Sequence, residues 1–263
     1  MNPSAPIGAF DSGVGGLSVL RALRARLPQE HFIYFADSAH APYGERGDAY
    51  VTARSLAVAA QLVEQYGIKA LVVACNTATA AAIDTLRATW PEMPVVGVEP
   101  ALKPAAALTR TGLVGVLATR GTLASNRFAA LHDSLKLQVR YVLQPCDGLA
   151  EAIEHQHTAV AAALCQHYIH AMGTFGAANE QVDTLVLGCT HYPFVADTLQ
   201  GLVGPAVRLL DTGDPVAQQL ARRLATAALC RASTAQGGLH FMASGDLPAL
   251  HATAARWLGA QAA

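Results

Sequence analysis

The sequence predicts an α/β fold: two similar units with central, mostly parallel sheets, related by an approximate internal repeat. Two observations carry that prediction. Leu71-Val72-Val73-Ala74-Cys75-Asn76-Thr77 is a short apolar run that ends on a cysteine and two small polar residues. Leu185-Val186-Leu187-Gly188-Cys189-Thr190-His191 has the same form in the second half. Runs this short read as buried parallel strands, and each leads into a helical pattern. Each cysteine is therefore expected at the carboxyl end of a strand, beside a helix N-terminus. Open α/β sheets put ligand sites there, and backbone N–H groups with the helix dipole favour a thiolate there.

In chain order, Ile7 to Phe10 reads as the first strand. It runs into Asp11-Ser12-Gly13-Val14-Gly15-Gly16 and then a helix with Leu17, Leu20, Leu23 and Leu27 at helical spacing. A glycine-rich loop between strand and helix can cradle an anion; the plainer reading is a tight turn that needs positive φ. No lysine follows the glycines, and the pattern fits neither G-x-G-x-x-G nor the P-loop, which argues against a nucleotide role. His31 to Phe35 is the second strand, followed by a long polar loop through Arg46. Asp48 to Tyr66 is a long amphipathic helix closed by Gly67. The first cysteine strand follows, then a helix over 78–89 stopped by Trp90-Pro91, then a strand over 94–98.

A second cycle starts with the strand Leu113 to Ala118. Thr119-Arg120-Gly121-Thr122 follows it as Asp11-Ser12-Gly13 follows the first strand. A single helix is expected over 123–135, a strand over 138–143, helices over 147–156 and 158–172, then the second cysteine strand and a strand over 207–210. The chain closes with a helix opened by Asp211-Thr212, a strand near Leu239 to Met242, and a helix after Asp246. The expected domains are 1–98 plus 211–263, carrying Cys75, and 99–210, carrying Cys189.

Of 263 residues, 52% are apolar and 14% charged, with net charge −1. That supplies a sizeable core and no clustered cationic footprint, so nucleic acid is not an expected partner. No apolar run approaches a membrane span, and no signal peptide is read at the start. Five cysteines, an odd number spread over a long chain, suit reduced thiols in a cytoplasmic protein.

Two cysteines at matching repeat positions permit several chemistries. Neither lies in C-x-x-C, so a redox pair has no support. Cys75, Cys189 and His191 offer three ligands, but C-x-H is not a zinc spacing, so no metal is expected. A single nucleophile leaves one cysteine unexplained. A thiolate that removes a proton and a thiol that returns one from the far side would use both and invert a carbon centre. A free thiol has a pKa of about 8.5, so each needs help: Asp11 is the candidate for Cys75 and His191 for Cys189. Asp11 could equally cap a turn, and His191 could simply bond backbone. Cys146, Cys165 and Cys230 lack this context and read as structural. His155, His157, His167 and His170 read as ordinary histidines.

These stretches together resemble the glutamate racemases of the aspartate/glutamate racemase superfamily. The matching segments are Phe10 to Gly16, Ala41-Pro42-Tyr43-Gly44, Val72 to Ala78, Val96 to Ala105, Gly115 to Thr122 and Leu185 to Pro193. The resemblance implies a cofactor-independent enzyme interconverting L- and D-glutamate, supplying D-glutamate for peptidoglycan, with the substrate between two α/β domains. It makes Cys75 and Cys189 the proton-transfer residues, Cys75 acting on D-glutamate and Cys189 on L-glutamate. Asp11 and His191 match their polar helpers. Asp11, Ser12, Tyr43, Gly44, Asn76, Thr77, Thr119, Thr122, Thr190 and His191 match substrate-binding positions. Glu154 falls where the family has an acidic residue near the site; here Asp147 replaces the usual proline after Cys146, and Glu151 offers a second carboxylate. The expected partners are a small-molecule substrate and a second copy of the chain in a homodimer, with neither nucleic acid nor membrane. The alternatives are a racemase of aspartate or another amino acid, and a non-catalytic module that binds acidic amino acids.

Overall fold

The structure, a computed structural model, describes residues 2–259. By chain contacts it divides into two compact units. One comprises the residues through Val98 and those from Gly213 onward; the other is Glu99–Thr212.

The first unit begins with β1 (Ile7–Asp11), α1 (Leu17–Arg26), β2 (Phe32–Ala36), α2 (Asp48–Tyr66), β3 (Ala70–Val73), α3 (Asn76–Thr89) and β4 (Val95–Gly97). The second unit holds α4 (Leu102–Leu108), β5 (Leu113–Ala118), α5 (Arg120–Ala124), α6 (Asn126–Asp133), β6 (Arg140–Pro145), α7 (Leu149–Glu154), α8 (Thr158–Ala171), β7 (Thr184–Gly188), α9 (Ala196–Val203) and β8 (Arg208–Leu210). The chain then returns to the first unit with α10 (Gly213–Thr226), β9 (Leu239–Ala243) and α11 (Leu247–Leu258).

All pairings within both sheets are parallel. The strand order is β4-β3-β1-β2-β9 in the first unit and β6-β5-β7-β8 in the second. Setting β1–β4 against β5–β8 gives one topology twice, and β9 is an added edge in the first. In each unit the chain crosses from one side of the first strand to the other, between β1 and β3 and between β5 and β7. Open sheets bind ligands outside the strand ends at such a reversal. Asp11 and Cys75 lie at one reversal, Thr119 and Cys189 at the other.

At these reversals β1, β3 and β7 are buried along their length, and β5 from its second residue on. Each Val, Leu, Ile or Phe hidden in this way contributes roughly 1.5–3 kcal/mol. In α2 the residues Val51, Val58, Ala59 and Leu62 line one stripe at helical spacing, and this stripe shares a core with Leu71, Val73 and Cys75. Gly67 ends the helix in the left-handed region at φ 57°, donating its N–H to the Val63 carbonyl.

Several elements differ from the sequence reading. Gly16 sits at φ −62°, ψ −10°, so positive φ is not what its position requires. A Cβ there would lie 2.8 Å from Asp11 Cβ and from Tyr34 Oη; the glycine serves close packing. The expected helix over 123–135 is two helices, α5 and α6. Ser125 is extended between them at ψ 144°, and its Oγ accepts from the Phe128 N–H. A serine able to cap a new helix interrupts the old one. The strand expected from Gln138 begins at Arg140, because Leu135 to Val139 turn back on themselves. The polar loop after β2 folds into two 3-10 turns, Ser38–His40 and Tyr43–Glu45. Cys230, read as structural, is exposed and lies outside the core. His155, His157, His167 and His170 are all exposed.

The two cysteines are also less alike than the repeat implies. Cys75 is the N-cap of α3, and its Sγ accepts the Ala78 N–H at 3.4 Å. Cys189 leads not into an α-helix but into a 3-10 turn, Tyr192–Val195, with α9 beginning only at Ala196. Pro193 in that turn supplies no N–H for an α-helical first turn. A helix N-terminus thus serves one thiol and not the other.

Candidate active site

In the first unit, the end of β1 and the start of α3 bring Asp11, Ser12 and Cys75 together. The Asp11 carboxylate accepts N–H groups from Ser12, at 2.7 Å, and from Gly16. It therefore ties the glycine-rich loop, as the turn-cap reading had it. Ser12 Oγ donates to Asp11 Oδ1 at 3.3 Å, and Cys75 Sγ donates to Ser12 Oγ at 3.8 Å. One hydroxyl thus links the thiol to the carboxylate. Asn76 and Thr77 lie buried in the first turn of α3. Asn76 Nδ2 donates to the Val98 carbonyl at 3.3 Å, while its Oδ1 is buried with no partner among the described residues.

Tyr43 is buried in the same core as Cys75. Its hydroxyl donates to Asp37 Oδ2 at 2.5 Å. Arg54 of α2 grips the same carboxylate with two bonds, Nε to Oδ2 at 3.0 Å and a terminal guanidinium N–H to Oδ1 at 2.8 Å. Burial works against the Asp37 charge, but its bonds to Arg54, Tyr43 and Ser244 outweigh burial and hold the carboxyl below its ordinary pKa. Burial, then Asp37, then the Cys75 charge push the Tyr43 phenol upward, so it stays neutral. Gly44 is half-buried in the 3-10 turn that starts at Tyr43.

In the second unit, Cys189 Sγ lies 3.7 Å from His191 Nδ1, and His191 Nε2 lies 2.6 Å from Glu154 Oε2 at the end of α7. An ionised carboxylate only accepts. The neutral imidazole therefore carries its proton on Nε2 and turns the Nδ1 lone pair to the thiol. That is the geometry of a base oriented by a third group. Burial opposes charging of His191, but Cys189 and Glu154 together raise its pKa well above the usual value. Glu151 on the same helix is exposed. Thr119 caps α5, its Oγ1 accepting the Thr122 N–H at 3.2 Å and donating to Thr122 Oγ1 at 2.9 Å. Thr122 and Thr190 are buried. Behind Cys189 lie Tyr192, whose phenol is pushed up by burial and by the charges of Cys189 and Cys146, and Cys146, whose thiol burial pushes up. Burial raises Cys165 to about 11.

The structure thus gathers the candidate residues into two clusters, one per unit. Sequence reasoning missed the direct Ser12–Cys75 contact and the whole Asp37 centre. A signal for Asp37 was present: Asp37-Ser38 follows β2 as Asp11-Ser12 closes β1. Among the described residues, no group of three or more His, Cys, Asp or Glu side chains is placed to hold a metal ion. No helix among them is long and apolar enough to cross a membrane.

Residues 17–220 match the model of the Asp/Glu/Hydantoin racemase family. The chain belongs to that family. The glutamate racemase of Ectopseudomonas mendocina is 50% identical over 265 aligned residues, covering 100% of this chain and 98% of that protein. The Escherichia coli glutamate racemase, solved with L-glutamate and the activator UDP-MurNAc-ala, is 33% identical. It aligns over 96% of this chain and 95% of its own with a TM-score of 0.83. The Francisella tularensis enzyme, solved with D-glutamate, is 27% identical with a TM-score of 0.82, covering 97% of this chain and 94% of its own. The chain is accordingly an isomerase, an amino-acid racemase of the glutamate racemase type.

Proposed function

We propose that this racemase interconverts L- and D-glutamate by a two-base mechanism without a cofactor, Cys75 and Cys189 working on opposite faces of the α-carbon. The row Cys189–His191–Glu154 carries the reading, because it gives one thiol a base and the base an orienting carboxylate. Cys75 has its own supports, the Ala78 N–H and the Ser12 hydroxyl. Inversion at carbon needs a base on one face and an acid on the other, and a thiol/thiolate pair can supply either. Following the family resemblance, Cys75 takes the proton of D-glutamate and Cys189 that of L-glutamate.

The orphaned Asn76 Oδ1 suits a substrate ammonium, since an unpaired buried acceptor gains most from a charged donor. Ser12, Thr77, Thr119, Thr122, Thr190 and the loop amides at Tyr43 and Gly44 suit the two carboxylates. The L-glutamate in the E. coli structure and the D-glutamate in the F. tularensis structure support glutamate as the substrate. In this reading the D-glutamate enters peptidoglycan synthesis in the cytoplasm.

Circular dichroism of L-glutamate incubated with the protein alone should decay to zero, and so should that of D-glutamate, because free enantiomers have equal energy. Racemisation of aspartate but not glutamate would shift the substrate to the alternative. Binding of glutamate without racemisation would make the chain a binding module. Activity removed by chelation and restored by zinc would sink the metal-free mechanism.

Glu154→Gln should keep the fold and lower kcat on the order of 10²-fold, the lower range of what positioned acid–base groups supply. Glutamine still reaches His191 Nε2, but with no charge to stabilise the imidazolium. Steady-state kinetics check it: a KM effect with unchanged kcat would make Glu154 a binding residue instead.

A further inference from the structure

We propose that Asp37 and Arg54 are positioning residues for the Cys75 half of the reaction, acting through Tyr43. The inference rests on the two-base reading and concerns two side chains, Asp37 and Arg54, that reading does not use.

Asp37 follows β2, one residue past the register pair Asp11–Ala36, and its N–H donates to the Asp11 carbonyl at 2.9 Å. Two acidic residues therefore stand on neighbouring strand ends. Each is stabilised in its own way: Asp11 by loop N–H groups, Asp37 by a guanidinium. The Asp37 side chain is 0% exposed, and Arg54 26%. An exposed ion pair would matter little, but a carboxylate with no access to water depends on its partners. Two parallel bonds from a planar fork also fix orientation, which a single lysine contact cannot do. His40 Nδ1 lies 3.0 Å from Oδ1, and the Ser244 side chain completes the set.

Held in this way, Asp37 fixes Tyr43. A short bond to a charged acceptor commits the phenolic proton to Asp37 and leaves the ring in the core that contains Cys75. The ring shares that core with the thiol, near enough for the Cys75 charge to push the phenol upward, and its one donor is already committed to Asp37. A phenol released from Asp37 could hydrogen-bond the thiolate, and a hydrogen bond to the charged form weakens it as a base. The same fixation places the Tyr43-Gly44 amides assigned to the substrate. Arg54 and Asp37 touch no reacting atom; their effect passes through Tyr43.

The tests use the full-length enzyme. Arg54→Met leaves a buried carboxylate uncompensated, and kcat/KM should fall about 10- to 100-fold in both directions, since an equilibrium constant of one forces the two values to change together. Arg54→Lys, which keeps charge but not the fork, should lose an intermediate amount. The double variant Asp37→Asn/Arg54→Met removes the charge along with its partner, while the asparagine carbonyl still accepts from Tyr43. It should recover at least a third of the loss on a logarithmic scale. A structural ion pair alone could show such rescue, so a second readout is needed. With substrate deuterated at the α-carbon, the primary isotope effect should rise for the enantiomer that Cys75 deprotonates and not for the other.

Folded Arg54→Met with kcat/KM within twofold of the parent would overturn the proposal. Equal isotope effects in the two directions would overturn it as well. If Arg54→Met does not fold, Arg54→Lys, which keeps the charge but loses the fork that orients Asp37, must show the one-sided isotope effect or the proposal fails. Failure of the underlying reading is distinguishable: full racemisation by Cys75→Ser would remove the two-base mechanism, whereas an inert Cys75→Ser beside a fully active Arg54→Met would remove this inference alone.

Discussion

Cys75→Ser and Cys189→Ser are each expected to lose racemisation almost completely in both directions. Inversion needs a group on each face, and a serine hydroxyl is a far weaker acid than a thiol, so it cannot stand in for one. The loss should reach at least the 10²–10⁴-fold range of a positioned acid–base group. Removal and return of a proton on one face needs only the surviving cysteine. In D₂O, Cys189→Ser should therefore exchange the α-proton of D-glutamate with retention, and Cys75→Ser that of L-glutamate, provided the remaining thiol trades protons with solvent. The arrangements differ here: Cys189 meets a histidine, Cys75 a serine hydroxyl leading to a carboxylate. NMR of each enantiomer with each variant reads the result. Exchange with the reverse preference would overturn the facial assignment. Full racemisation by either variant would overturn the mechanism.

The largest stability effect is expected far from the thiols. Lys69 Nζ and Glu30 Oε2 lie 2.5 Å apart with both side chains 0% exposed. Lys69 also donates to the Pro3 carbonyl, and Glu30 Oε1 accepts the Arg231 N–H at 2.9 Å. Lys69→Met would strand the Glu30 carboxylate. Removing one partner of a buried pair costs about 3–5 kcal/mol, a large share of the roughly 5–15 kcal/mol that holds a domain folded. Lys69→Met/Glu30→Gln should regain most of that, because glutamine keeps the bond to Arg231 and carries no charge. Urea titration checks both: a loss below about 1 kcal/mol in the single variant would mean that the Glu30 carboxylate finds water or a proton at little cost.

The parallel sheets and their duplication were legible because short apolar runs and helix-period segments alternate without a break, and because the two cysteine strands repeat each other. Helix ends with a clear chemical signal were legible too, such as Gly67 after α2 and Asp246 before α11, whose carboxylate accepts the Ala249 N–H. Ser125 was not, since a serine inside a helical pattern signals nothing until its side chain is seen to cap a second helix. The repeat itself misled at Cys189, where the strand recurs but the α-helix start does not. The Asp37 centre stayed hidden for another reason. Its members come from three segments, Asp37 and Tyr43 from the loop after β2, Arg54 from α2 and Ser244 from just beyond β9, and only the folded chain unites them.

That last segment has a consequence for how the protein is made. β9 forms the far edge of the first sheet, pairing with β2 from Phe32↔Leu239 to Ala36↔Ala243. Ser244, directly after it, donates its N–H to the Ala36 carbonyl, and its Oγ accepts the Ala39 N–H. A ribosome finishes every residue of the second unit before it has made the strand that closes the first. During synthesis β2 therefore waits with one bare edge, and the loop that carries Asp37 waits with it. An unpaired strand edge is a template for pairing with other chains, so this interval is when the nascent protein is most open to aggregation. Loss of the chain beyond residue 238 would make that interval permanent.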